Sequence, residues 1–208
     1  MNISENELKE LSESVGRRLS EKRYRHTLGV EKMAKTLGEL FFPEDTVRAL
    51  RAAALLHDIA KELPEERQIA LMKNAGFPVG EEDFSSAPLY HAFAAPAVIR
   101  EDFPRFATPE ILRAVFYHTT GDEVMSTFDK IIFLSDFIEE GRTYPSCVKA
   151  RESLFHALSD GTPFERALDE AVLFTLDLTI ASLIDRRMNM NLRTVRARNS
   201  ILAALSRK

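Results

Sequence analysis

Cysteine, tryptophan and long apolar runs are what this 208-residue sequence conspicuously lacks. With Cys147 as its one cysteine, an internal disulfide framework, a CxxC redox pair and a cysteine-built zinc site are excluded, and a reducing compartment is expected. No stretch approaches the roughly 18 consecutive apolar residues of a membrane-spanning helix. The first residues, MNISENELKELSESVGRRLSEK, are charged throughout, where a secretory signal needs an apolar centre. Cytoplasmic residence without membrane association is the expectation. Excess positive charge is missing as well: 28 Lys and Arg against 32 Asp and Glu leave a formal charge of -4, so no global attraction to nucleic acid is expected. Phosphate binding, where it occurs, has to be local.

What remains is globular in balance, with 45% hydrophobic and 29% charged residues supplying a core and a solvated surface. Apolar residues recur at three- and four-residue spacing, and no sustained alternation supports a half-buried strand. The chain therefore reads as all-α, one domain over 1–208, with a chemical core at about 23–142 and further helices at about 147–206. Ser4 and Glu7 have capping-box spacing and open a helix to about Lys22. A second helix carries His26, Val30, Met33 and Leu37 on one face. Phe42-Pro43-Glu44-Asp45 restarts the chain into a third helix that is apolar nearly all round up to His57-Asp58, and so central. Pro64–Asn74 reads as a short surface helix and Gly76–Pro88 as a loop. Helices are expected at Tyr90–Arg100, from Thr108-Pro109-Glu110 to near His118, and at Ser126–Glu140. Arg151–Leu158, Pro163 to about Arg187, and Leu192–Leu205 complete the set and are expected to pack outside. From Arg186 onward seven Lys or Arg stand without an acid. A terminal helix with a solvated basic face is favoured there over a tail that reaches phosphate.

His26, His57, His91 and His118, four of the five histidines, each lie in or end a predicted helix, with Asp58 and Asp136 beside them. Nitrogen and carboxylate donors on separate helices suit a divalent Fe, Mn, Co or Ni, or Mg with more oxygen ligands. An acid directly after a histidine in apolar surroundings is costly to bury unless something positive compensates it. The same holds for Asp136 inside Ile-Ile-Phe-Leu-Ser-Asp-Phe-Ile. A metal ion meets both requirements. Any one of these histidines alone reads equally as a hydrogen-bonded core residue; the ensemble favours a metal site. His156, in polar surroundings, is assigned to the surface. Asp129, two turns before Asp136, suits either a contact behind the ligands or a cap beside Ser126.

The order His26, His57-Asp58, Asp136 resembles the HD superfamily of metal-dependent phosphohydrolases. The wording around it, Tyr24-Arg-His-Thr-Leu-Gly-Val30, Leu55-Leu-His-Asp-Ile-Ala-Lys61, Tyr117-His-Thr-Thr-Gly121 and Asp129-Lys-Ile-Ile-Phe-Leu-Ser-Asp-Phe-Ile-Glu139 with Arg142, is similar to the YqeK family of bacterial symmetrical bis(5'-nucleosyl)-tetraphosphatases. Ser135 and Glu140 depart from the alanine and proline usual in that family. The resemblance implies an all-helical HD bundle with additional C-terminal helices that hydrolyses diadenosine tetraphosphate into two ADP, with iron as the metal. By motif, His26, His57, Asp58 and Asp136 become metal ligands, with Asp58 also orienting the attacking water. Arg23, Lys61, His91 and His118 fall where substrate phosphates are contacted, Asp58 and Asp136 border the same substrate, and Lys61 joins Asp58 in catalysis. His91 and His118 are alternatively ligands of a second ion or donors of a proton to the leaving group, and Thr119-Thr120-Gly121 offers donors for phosphate oxygens. The expected partner is a small dinucleoside polyphosphate, with a homodimer admitted as the assembly. The competing functions are an HD hydrolase of a deoxynucleotide, nucleoside monophosphate or guanosine alarmone, and a non-catalytic nucleotide-sensing HD module.

Overall fold

A computed structural model describes residues 2–207 of the chain. Among them are ten α-helices and no strand. The helices are α1 (Glu5–Gly16), α2 (Glu21–Glu39), α3 (Glu44–Leu56), α4 (Glu65–Met72), α5 (Tyr90–Asp102), α6 (Pro109–Tyr117), α7 (Thr127–Ile138), α8 (Pro145–Ser159), α9 (Phe164–Asp185) and α10 (Leu192–Leu205). Their starts follow local chemistry. Ser4 and Glu7 form the capping box of α1, Thr108 caps α6 ahead of Pro109, and Ser126 pairs reciprocally with Asp129 at the start of α7.

Helix α3 is the centre. Val47, Leu50, Ala52, Ala53, Ala54, Leu55 and Leu56 are all buried, as its all-round apolar character requires, and the helix packs against α2, α6 and α7. Its small alanines let these neighbours approach closely. The four helices, with α5 on α6, surround the space beyond the end of α3, where His57 and Asp58 stand.

Several boundaries differ from expectation for identifiable reasons. The first helix stops at Gly16 because Ser20 begins a new one, held by its backbone N–H and hydroxyl donating to Glu62, both at 2.6 Å. Helix α3 ends at Leu56, just before the His57-Asp58 pair, because the His57 ring occupies the Ala54 carbonyl at 2.7 Å and competes with the backbone for it. Helix α8 begins at Pro145, where proline suits the first helical position. The C-terminal helices are not merely an outer layer. Leu168, Val172 and Leu176 of α9 and Ala197 and Ile201 of α10 join the continuous core.

The 76–88 loop contains a short 3-10 turn, Glu81–Ser85, whose Asp83 is fully buried. Arg193 of α10 donates to Asp83 at 2.5 Å and Asn191 donates at 2.8 Å, which fastens the loop to the C-terminal segment. Arg198 pairs with Asp177 at 2.8 Å. The described part of the basic tail is thus partly spent on internal contacts; Lys208 lies outside the described residues. His156 is on the surface, its side chain 78% exposed.

Asp129 belongs to the cap. Its carboxylate accepts from the Ser126 N–H and from Arg113, each at 2.9 Å, and it is buried. Asp129→Ala removes the cap and leaves Arg113 with Asp122 and the Val124 carbonyl alone, so urea denaturation is expected to show a loss of about 1–3 kcal/mol. The metal content of the folded variant should not change, because Asp129 does not reach the histidine cluster.

Candidate metal centre

The site residues are delivered by several elements. His26 lies one turn into α2, His57 caps α3, Asp58 follows it, His91 is the second residue of α5, His118 caps α6, and Asp136 projects from the last turn of α7. Six of the eight expected ligands and contacts therefore come together from five helices, and the other two, Arg23 and Lys61, reach them at Asp58 and His91. His57 is fully buried; Asp58, His91 and His118 are 2–3% exposed. His26 and Asp136 sit nearer the surface, with side chains 13% and 19% exposed.

The ring nitrogens are sorted by their partners. His57 Nδ1 meets the Ala54 carbonyl and His118 Nδ1 the Val115 carbonyl, each at 2.7 Å. A carbonyl only accepts, so both rings carry their proton on Nδ1 and turn an Nε2 lone pair inward. Lys61 Nζ approaches His91 Nδ1 at 3.1 Å, and an ammonium only donates. His91 is therefore protonated on Nε2, which donates to Asp58 Oδ1 at 3.1 Å and faces His118 Nε2 at 3.3 Å.

Whether a metal suits the cluster is tested by its unpaired atoms. His26 Nε2 and His57 Nε2 are buried and have no hydrogen-bond partner. His26 Nε2 does lie 3.0 Å from Asp136 Oδ1, but without the alignment of a hydrogen bond; the two converge rather than pair. His57 Nε2 is 3.4 Å from Asp58 Oδ2 and 3.9 Å from Asp136 Oδ1. Two groupings have donor atoms all within 4.8 Å of one another: His26, His57 and Asp136, and His57, Asp58 and His118. Buried polar atoms left without partners are rare, and nitrogen–carboxylate sets of this kind are what divalent transition metals bind. The residues fit a metal.

The HD domain family model matches residues 23–141. A symmetrical bis(5'-nucleosyl)-tetraphosphatase of Halalkalibacterium halodurans is 30% identical to this chain over 186 residues, 88% of this chain and 91% of that protein. This chain belongs to the HD-domain symmetrical bis(5'-nucleosyl)-tetraphosphatase family. A Staphylococcus aureus protein of the same name is 29% identical over 167 residues, 78% of this chain and 83% of its own. Among solved structures, an HD superfamily hydrolase of Clostridium acetobutylicum, described as involved in NAD metabolism, superposes with a TM-score of 0.80 at 30% identity over the whole of both chains.

Charge in this HD centre is strongly organised. Arg23 donates to Asp58 Oδ2 at 2.8 Å and Arg142 to Asp136 Oδ1 at 2.7 Å, so each carboxylate is flanked by a guanidinium. Burial acts to raise the Asp58 carboxyl, but the electrostatic attraction of the neighbouring His57 and His91 imidazoles, with the hydrogen bond from His91, outweighs it and holds the group well below the usual range. Asp136 behaves likewise, burial being overcome by Arg142 and His26. Burial pushes His118 down to about 3, with His57 and His91 adding to the effect, and depresses His91 and Lys61 as well. His26 goes the other way. Burial works against its charged form, yet the contacts with Asp136 and Glu139 raise it to about 9 in the metal-free protein.

Next to the cluster a cavity of about 580 Å³ opens beside His26, lined in part by Lys22, Arg23, Arg25, Arg142 and Tyr144. Despite the chain's acidic total, positive charge is concentrated here. The Thr119-Thr120-Gly121 turn spends part of its expected phosphate donors on itself, while the buried Thr119 hydroxyl has no partner. The Gly121 N–H donates to the Tyr117 carbonyl at 2.8 Å and the Thr120 hydroxyl to the Gly121 carbonyl at 2.8 Å, so both are consumed by the turn. Gly121 itself has φ +67, the left-handed conformation that closes such a helix end.

Arg142 and Glu139 carry no separate signal in the sequence beyond their place beside Asp136. Arg142 pairs with Asp136, and Glu139 meets His26 Nδ1 at 3.1 Å. A glycine in the interior of α2, Gly29, was the available local signal that something crowds that helix.

No helix among the described residues is long and apolar enough to cross a membrane.

Proposed function

We propose that this protein cleaves diadenosine tetraphosphate symmetrically into two ADP, with a divalent metal held by His26, His57, Asp58 and Asp136. The convergence of two unpartnered buried imidazole nitrogens on two carboxylates, beside a cationic cavity, carries the reading. Iron is the proposed ion, from the likeness of the motifs; a donor set of two imidazoles and two carboxylates also accommodates Mn, Co or Ni better than Mg, which favours all-oxygen ligands. Such an ion, when bound, lowers the pKa of a coordinated water toward neutrality and polarises a phosphoryl oxygen.

The chain's own groups have the following parts. Arg23, Arg142 and Lys61 bring positive charge to the polyphosphate, whose charge builds up as the central anhydride breaks. Asp58, ionised and flanked by Arg23, accepts a hydrogen bond and so orients a water for attack on one central phosphorus. That water's oxygen ends on one half, and the bridging oxygen leaves with the other as the second ADP. His91, with its proton on Nε2, is suited to donate to a phosphate oxygen. His118 offers a lone pair there and is suited to accept, or to join His91 around a second ion. The whole chain acts as one domain, because its hydrophobic core runs unbroken from Ile3 to Ile201.

Measuring kcat/KM over a panel of nucleotides tests the substrate assignment. Diadenosine tetraphosphate should exceed deoxynucleotides, nucleoside monophosphates and a guanosine alarmone by on the order of 10²-fold or more. A better rate on any of these would overturn the assignment, and no turnover by metal-loaded protein would favour a sensing module.

A further inference from the structure

Glu139 is the first residue beyond α7 and takes no part in the ligand set proposed above. It is nevertheless 4% exposed, and three separate contacts fix it. Its backbone is clamped by Arg151 of α8, which donates to the carbonyls of Ile138 and Glu139, both at 2.8 Å. Its Oε2 accepts from the Gly141 N–H at 2.5 Å. Its Oε1 meets His26 Nδ1 at 3.1 Å. A carboxylate at this position accepts the Nδ1 proton, so that Nε2, which faces Asp136 and His57, is the nitrogen that offers its lone pair once an ion displaces the second proton.

Helix α2 is shaped to admit this carboxylate. Gly29 stands one turn after His26, in the interior of a 19-residue helix where glycine is otherwise unfavourable. A Cβ at position 29 would lie 2.3 Å from Glu139 Oε2 and 3.0 Å from Cδ, far inside contact distance. The colliding atoms are the end of a flexible side chain, so an added methyl displaces the carboxylate rather than the helix.

We infer that Glu139 is a positioning residue, which orients His26 as a metal ligand and fixes its tautomer, and that Gly29 exists to make room for it. Its negative charge also strengthens the imidazole as a donor, as carboxylates behind metal-bound histidines do. The inference rests on His26 being a ligand but not on the identity of the substrate. It also gives α8 a function: through Arg151 it holds the residue that aims His26.

The test is the binding of Co²⁺ alone to the full-length, metal-stripped protein, followed by calorimetry and by the visible spectrum of the bound ion. Glu139→Gln is expected to weaken binding by about 10–100-fold, the usual effect of losing such a partner. Gly29→Ala should weaken it comparably although alanine is the better helix former, so its melting temperature should be no lower than wild type. In Glu139→Ala the collision is gone, and adding Gly29→Ala should then cost no further affinity. That non-additivity separates positioning from general loosening of the fold. Wild-type affinity in Glu139→Gln, or an additive double variant, would overturn the inference. A wild-type protein that takes up no Co²⁺ would overturn the metal centre itself, and this inference with it.

Discussion

Asp58→Asn is expected to lower kcat/KM on diadenosine tetraphosphate by at least about 10³-fold, since a metal centre contributes several kcal/mol and each 1.36 kcal/mol is tenfold. Asp58 is where the two halves of the cluster meet. Its Oδ2 lies 2.8 Å from Arg23, 3.4 Å from His57 Nε2 and 3.9 Å from His26 Nε2. Its Oδ1 lies 3.1 Å from His91 and 3.8 Å from His118. Asparagine keeps the shape and removes the charge, leaving Arg23 without its buried counter-ion and the proposed metal without one carboxylate. Metal content should fall together with activity. A variant that keeps both would show that the pair after α3 has another purpose.

Metal affinity is expected to fall steeply in acid, and His26 sets the window. A ligand nitrogen must be neutral, while the metal-free His26 holds its proton up to about pH 9. Between pH 9 and 6 each binding event therefore displaces that proton, and apparent affinity should drop on the order of tenfold per pH unit. Asp58 and Asp136, held well below the ordinary range, stay ionised across this window. His118, pushed down to about 3, has no proton to lose there.

The metal-free fold should show the opposite trend. His26 has a folded pKa above its unfolded value of 6.5, so its stabilising charge is fully present below 6.5 and is lost as pH rises through about 9. Chelator-stripped protein should accordingly be easier to unfold at pH 9 than at pH 6.5, and the metal-loaded protein should not follow it. Equal metal affinity at pH 6 and pH 9 would contradict this picture of His26.

The cluster of histidines and acids was legible in the sequence because acids and imidazoles in apolar helices are expensive unless they share a purpose. Asp58 after a run of alanine and leucine, and Asp136 amid isoleucine and phenylalanine, announce themselves by that cost. The helices were readable for the complementary reason, an apolar face repeating every three or four residues. Their ends were harder. Ser20 and Pro145 carry start signals that were available, whereas the stop at Leu56 depends on the His57 ring taking the Ala54 carbonyl, which spacing does not disclose.

Least legible was what stands behind the cluster. Glu139 reaches His26 across 113 residues of sequence, and no local pattern marks such a pairing. The same is true of Arg193, whose bond to Asp83 turns part of an apparently solvated basic face into an anchor for the loop ahead of His91. Asp129 is the converse case: its spacing suits either a contact behind the cluster or a cap beside Ser126, and the cap is what it forms.

Which bond of the polyphosphate breaks is decided most directly by the products of a single incubation. Metal-loaded protein and diadenosine tetraphosphate should yield ADP alone, two molecules for each substrate consumed. Release of ATP together with AMP would contradict symmetrical cleavage, and with it the functional assignment.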